Sequence, residues 1–263
     1  MKHPLLVTTA ALAALLVGVG GLGGVWTTAV VSAVLVVVAA LGWPQLLGAP
    51  ARKSLTAVLG VTGLVAVAAA ALWPGRNPGE EAAAFGASFV EPIAVCMALG
   101  IVAAFMVQLF RGAGSPHRLE STAGTIAGLA VVCAGAGWTA LVRLAAETSS
   151  VSTLMISVAS VALSLIVAAL AGLVPLPRHG DVLLAVVLAG VVPVAVSVIT
   201  PLPLPAAVVA GVLAAVVLIL IGRTAPQRGA GRPDGVRAAL ALGVAPVAVA
   251  GLLTYFVFRI MPV

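Results

Sequence analysis

Charge is what this chain has least of. Only 8% of its 263 residues are charged, and lysine occurs twice, as Lys2 and Lys53. A water-soluble domain carries about 25% charged residues, so this chain has too few ionised groups to cover a globule of its size in water. Aromatic residues are also scarce, at 4%. The net charge of +6 is scattered over many short loops. No basic patch has interleaved aromatics, which argues against a nucleic-acid partner. Two cysteines, Cys96 and Cys133, sit singly in apolar runs. They match neither a metal spacing nor a disulfide framework and read as small buried hydrophobes. The histidines (His3, His117 and His179) fall in short segments between apolar runs. None stands near the serine elbow that a hydrolytic triad requires. There is no phosphate-binding glycine loop and no dinucleotide fingerprint. No span holds a pair of acids at helical spacing, so metal-assisted transfer lacks its ligands. The sequence thus points to no metal, no cofactor and no catalytic residue.

What the chain does have is apolar length. Hydrophobic residues make up 62% and the mean hydropathy is +1.27. A membrane-crossing helix needs ~20 mostly apolar residues. Runs of that kind lie at 4–20, 25–43, 54–73, 88–110, 121–142, 151–173, 182–199, 204–222 and 236–258. The fold class is therefore all-α: a polytopic, multi-pass cell-membrane protein of about nine transmembrane helices, folded as one domain over 1–263. Met1 to Pro4 followed by an apolar run resembles a secretory signal, but other spans follow at once and the run reads as the first helix. Two hairpins have the weakest breaks. Gly20-Gly21-Leu22-Gly23-Gly24 divides the first pair and Pro201-Leu202-Pro203-Leu204-Pro205 the seventh from the eighth, so whether each hairpin spans twice is left to the structure.

Basic residues orient the chain, because cytoplasmic loops collect Lys and Arg. With the N-terminus in the cytoplasm, ten fall inside: Lys2, Arg52, Lys53, Arg111, Arg118, Arg178, Arg223, Arg228, Arg232 and Arg237. Three fall outside, namely Arg76, Arg143 and Arg259. Nine spans then leave the C-terminus external. Trp26, Trp43, Trp73, Trp138 and Tyr255 lie near span ends, where the bilayer interface favours such rings. The longest loops, near 75–87 and 223–236, are too short to fold alone. No internal repeat is evident, so an inverted-repeat transporter architecture has no direct support.

Functional sites in membranes tend to show as ionisable residues at depth. Glu91 is the one candidate, within the long run Phe85 to Phe110. At depth it would bind a cation or relay a proton. Pro92 follows it, however, and proline favours the first turn of a helix, so the helix can equally begin at Glu91 with the carboxylate at the interface. Asp181 and Glu120 open spans, where they complement the helix dipole. In the sixth span Thr153, Ser157, Ser160 and Ser164 are spaced by four, three and four and share a face, a stripe of ~16 Å. It either lines a polar path or bonds to neighbouring carbonyls. Gly124 and Gly128 form a small-xxx-small pair that admits a close helix, within the monomer or in a dimer.

The last span, from Gly235-Val236-Arg237 through Ala245-Pro246 to Tyr255-Phe256, resembles the final helix of the phosphatidate cytidylyltransferase family. Arg237 and Ala245-Pro246 match that helix in spacing, and the span number and the Gly42-Trp43 ending of the second span are similar. The family's metal-binding aspartates are replaced by Val236 and Ala239, and its serine by Leu240. The loop from Leu176 to Asp181 lacks the family's lysine and threonine run. The resemblance thus implies a non-catalytic relative. Three functions are expected in descending order. The first is a lipid-binding or partner-binding membrane subunit, holding membrane lipid, a protein partner or further copies of itself as a homo-oligomer. The second is a permease for a small neutral or weakly polar solute. The third is a lipid-modifying transferase.

Overall fold

The chain's structure, a computed structural model, describes residues 4–48, 51–73, 89–110, 118–147, 151–174, 180–200, 202–224 and 235–261. Helix is the only regular structure among them, as lipid demands: it offers backbone groups no hydrogen bonds, so each segment must satisfy its own. The helices are α1 (Pro4–Leu22), α2 (Val25–Leu46), α3 (Arg52–Leu72), α4 (Glu91–Phe110), α5 (Arg118–Gly135), α6 (Gly137–Glu147), α7 (Val151–Ala171), α8 (Gly180–Ser197), α9 (Leu204–Thr224) and α10 (Val236–Ile260). Among the described residues they make nine apolar spans, with α5 and α6 sharing the stretch Leu119–Ala146.

Each of the two hairpins holds two helices long and apolar enough to cross a membrane. In the first, α1 continues through Gly20 and Gly21, and the turn shrinks to Gly23 and Gly24, the latter at φ 95°. The hydroxyls of Thr27 and Thr28 donate to the Gly20 carbonyl at 2.7 and 2.9 Å. They add to the Gly23 N–H, which the same carbonyl accepts at 3.1 Å, at a helix end short of donors. In the second hairpin, α8 ends at Ser197 and α9 starts at Leu204, while Pro201 lies outside the described residues.

The fifth span differs from the expected single rod at 121–142. It covers 28 residues and breaks at Ala136, whose N–H donates to the Cys133 carbonyl three residues back at 3.1 Å. The break lies against the neighbouring helix α10. A β-carbon at Gly137 would stand 2.4 Å from the backbone nitrogen of Leu252 on α10, so only glycine lets the two backbones meet. The most apolar 18-residue stretch of this span is also the most enclosed, 83% buried, against 22% for that of α4 and 17% for that of α8. Helix α10 packs on α1, α2, α5, α6 and α9 and forms the centre with the fifth span. Helices α4 and α8 lie at the periphery, on α3 and α5 and on α7 and α9 respectively.

Two rings expected at the interface lie in the core instead. Trp138 and Tyr255 are fully buried, whereas Trp26 and Trp73 are exposed. Trp138 lies against Gly251 and donates its indole N–H to the Val247 carbonyl of α10 at 2.8 Å. The pair Gly124 and Gly128 serves packing inside the chain. Trp43 lies over Gly128 and donates to the Gly124 carbonyl at 2.8 Å, and Leu47 covers Gly124.

Candidate functional site

The hydroxyl stripe of α7 faces inward. Ser157, Ser160 and Ser164 are buried and Thr153 is half-buried. Ser157 Oγ donates to the Thr153 carbonyl at 2.8 Å, an ordinary bond back along its own helix. Ser164 reaches further, with Oγ at 3.1 Å from the Ser160 carbonyl and 3.0 Å from the Ala189 carbonyl of α8. The second contact has a clear cause. Pro193 sits inside α8, and proline has no N–H to give the carbonyl four residues back. That carbonyl belongs to Ala189. A serine on a neighbouring helix is one way a membrane helix satisfies such a freed group.

Helix α9 closes the same joint. A β-carbon at Gly211 would stand 2.9 Å from Ser164 Oγ and 3.0 Å from the Ala189 carbonyl oxygen. Three helices thus meet where Ser164 bridges two of them. Ser160 Oγ is buried and has no hydrogen-bond partner among the described residues, a state that costs about 1–3 kcal/mol in general.

Glu91 is the first residue of α4 and is exposed, while Pro92 beside it is buried in the first turn. Its carboxylate therefore sits at the helix end, where it complements the dipole. A different ionisable residue is partly enclosed by the helices. Arg143, expected in an external loop, lies on α6 inside the fifth span and is half-buried. Its Nη1 donates to the Ala71 carbonyl, in the last turn of α3, where the helix dipole is negative. The guanidinium also lies 5.3 Å from the centre of the Phe89 ring, a cation–π distance. Nearby, Tyr255 Oη accepts from the Phe89 N–H at 3.4 Å and from Arg259 Nη1 at 2.8 Å.

Buried polar groups missed by sequence reasoning complete the interior. Gln108 of α4 is buried and donates Nε2 to Ser121 Oγ of α5 at 2.9 Å. Thr139 donates to Ser32 at 3.2 Å, joining α6 to α2. Gln108 left a readable signal, an amide inside an otherwise apolar run. Ser32 and Thr139 left little, because their partner is 107 residues away.

At the opposite end, Asp181 at the start of α8 pairs with Arg223 in the last turn of α9, at 3.1 Å. Each charge complements its helix dipole. Arg52 and Lys53 begin α3 and Arg237 begins α10, all exposed. The stretches singled out by resemblance meet here. A β-carbon at Gly42 would lie only 2.0 Å from the Arg237 carbonyl oxygen, and Trp43 packs against the cluster of Val131, Ala245 and Ala248. Where that family holds its metal, Val236, Ala239 and Leu240 offer no donor atoms, so the residues present do not fit the ion. Among the described residues no three His, Cys, Asp or Glu side chains gather as a metal site. Cys96 is half-buried and Cys133 buried, both as free thiols. His3, His117 and His179 lie outside the described residues. No protein-family model, curated protein or solved structure matches this chain.

Proposed function

We propose that the protein is a non-catalytic binding subunit of the cell membrane, holding membrane lipid, a partner chain or a second copy of itself. The observation that carries this reading is the closed joint of α7, α8 and α9. The stripe that could have lined a path is buried, and Ser164 bridges to a carbonyl freed by Pro193. The surfaces left to act are peripheral. Helix α4 exposes Leu99, Val102, Phe105, Met106 and Leu109, and α8 exposes Leu183, Val187, Val191 and Val194. Native mass spectrometry of protein released gently from its own membrane tests this. Lipid or a second chain at fixed stoichiometry is expected, and a bare monomer would overturn the reading.

Descent from an enzyme fold related to the phosphatidate cytidylyltransferases agrees with this function. Gly42 meets the Arg237 backbone and Trp43 packs against a cluster that includes Ala245, while Val236 and Ala239 replace the acids. Magnesium-dependent turnover by the pure protein would instead establish the third reading, a lipid-modifying transferase. The N-terminus is assigned to the cytoplasm and the C-terminus to the outside. Among the described residues, Arg52, Lys53, Arg118, Arg223 and Arg237 start or end helices at one end of the bundle. Arg143 and Arg259 belong to the other. Reporter fusions at the two termini that gave the same sidedness would refute this.

A second reading, a permease for a small weakly polar solute, has one observation in its favour, the unpartnered hydroxyl of Ser160. It requires that Ser160→Leu abolish uptake. On the binding-subunit reading, cells carrying that variant differ from wild type in no uptake assay.

A further inference from the structure

We propose that the end of the bundle where α2 finishes binds an acidic phospholipid. Its phosphate lies among Arg52, Lys53 and Arg237, and its acyl chain runs along the outer stripe of α2. This deepens the binding-subunit reading and rests on it. Gly42 lets the first turn of α10 press its backbone against α2, with the Arg237 carbonyl at the contact. Helix α3 begins at Arg52, directly after the turn that follows α2. The three cations thus stand in the first turns of α3 and α10, the two helices that pack on α2 there.

Those cations differ from the other described arginines with resolved surroundings. Arg223 is paired with Asp181, Arg143 is bonded to the Ala71 carbonyl, and Arg259 to Tyr255. Among the described residues, no ion pair or hydrogen bond engages the side chains of Arg52, Lys53 or Arg237, and all three are exposed. Glu120 is exposed at the start of α5, which packs on α3 and α10. The N-caps of α3 and α10, Ala51 and Gly235, make no side-chain capping bond. Both helices therefore present open N–H groups and the positive end of a dipole at the same level as the cations.

A basic patch alone would suit any phosphate. The stripe below it commits the occupant to a lipid. Val30, Val34, Val37 and Leu41 are all exposed, at spacings of four, three and four along one face of α2. They cover ~16 Å at 1.5 Å per residue, which matches one leaflet of a hydrocarbon core ~30 Å thick. A charged head site joined to an apolar track of one leaflet's depth has the shape of a phospholipid. Each near-surface Lys or Arg adds about 1 kcal/mol to the attraction of anionic lipid, or about fivefold in affinity.

Native mass spectrometry of the full-length protein in detergent, titrated with phosphatidylglycerol or with phosphatidylcholine of equal chain length, tests this. Wild type is expected to retain phosphatidylglycerol in preference. Replacing all three cations (Arg52→Ala, Lys53→Ala and Arg237→Ala) is expected to weaken that binding on the order of a hundredfold, from three fivefold steps. Arg223→Ala, at the same end but paired, is expected to leave it within about twofold. Thermal unfolding of each variant confirms that it remains folded. Inorganic phosphate added without lipid is expected not to bind. Undiminished phosphatidylglycerol binding by the triple variant, or tight binding of free phosphate, would overturn the inference. Lipid retained without headgroup preference would overturn it and leave the binding-subunit reading standing. Loss of both lipid and partner from wild type would overturn both.

Discussion

Replacing Ser164 with alanine should cost stability only because Pro193 is present. In α8 the Ala189 carbonyl has lost its helical donor to that proline, and Ser164 Oγ supplies a substitute at 3.0 Å. Removing the hydroxyl leaves a buried acceptor bare. Interhelical hydrogen bonds in membrane proteins average about 0.6 kcal/mol and reach about 1.7. Stranding a buried group costs about 1–3 kcal/mol. Ser164→Ala should therefore destabilise the protein by about 1–1.5 kcal/mol. Restoring the backbone donor with Pro193→Ala should make Ser164 nearly dispensable. The double-mutant cycle is then expected to show a coupling of about 1 kcal/mol, well above the about 0.3–0.5 kcal/mol seen for independent sites. The assay is equilibrium unfolding in mixed micelles, followed by intrinsic tryptophan fluorescence for all four proteins. Equal destabilisation by Ser164→Ala in both backgrounds would refute the reasoning, because it would mean that the serine is not serving the proline-freed carbonyl.

Two further outcomes follow from the geometry. Gly42→Ala puts a β-carbon 2.0 Å from the Arg237 carbonyl oxygen, so α2 and α10 must separate. A loss of about 1–3 kcal/mol, the usual range for overpacking, is expected in the same unfolding assay. Glu91→Gln is expected to leave stability within about 0.5 kcal/mol and lipid retention unchanged, since Glu91 is exposed at the start of α4. Loss of lipid retention in that variant would place Glu91 in a binding site.

Much of the fold was legible because span detection is a local problem. The runs at 25–43 and 204–222 became α2 and α9 with only small shifts of their ends. The fifth span was only half legible. Its length could be read from hydropathy, but the close meeting of Gly137, beside the break at Ala136, with the backbone of Leu252 involves a residue more than a hundred positions later. The surroundings of Arg143 were hidden for a similar reason. In isolation an arginine marks a loop, yet the Ala71 carbonyl and the Phe89 ring receive it inside the bundle. The serine stripe was visible from spacing alone. That Ser164 serves a neighbour's proline, while Ser160 stays unpartnered, depends on where α8 packs.

The sequence by itself determined that this is a membrane protein, that it is helical and which nine runs, among the described residues, are long and apolar enough to cross. The hydrocarbon thickness sets a length that any run either meets or fails, and the demand for internal hydrogen bonds leaves helix as the answer. Which faces meet was decided only in the tertiary structure. In water, a helix shows its inner face by being apolar on one side. Here Leu183 and Val187 face outward and Leu165 and Val161 inward, yet they are chemically alike. Lipid is as apolar as the core, so hydropathy carries no contrast between the two surroundings. The arrangement follows instead from contacts such as Gly137 against α10 and Ser164 on the Ala189 carbonyl, and a contact of that kind is defined only once both partners are in place.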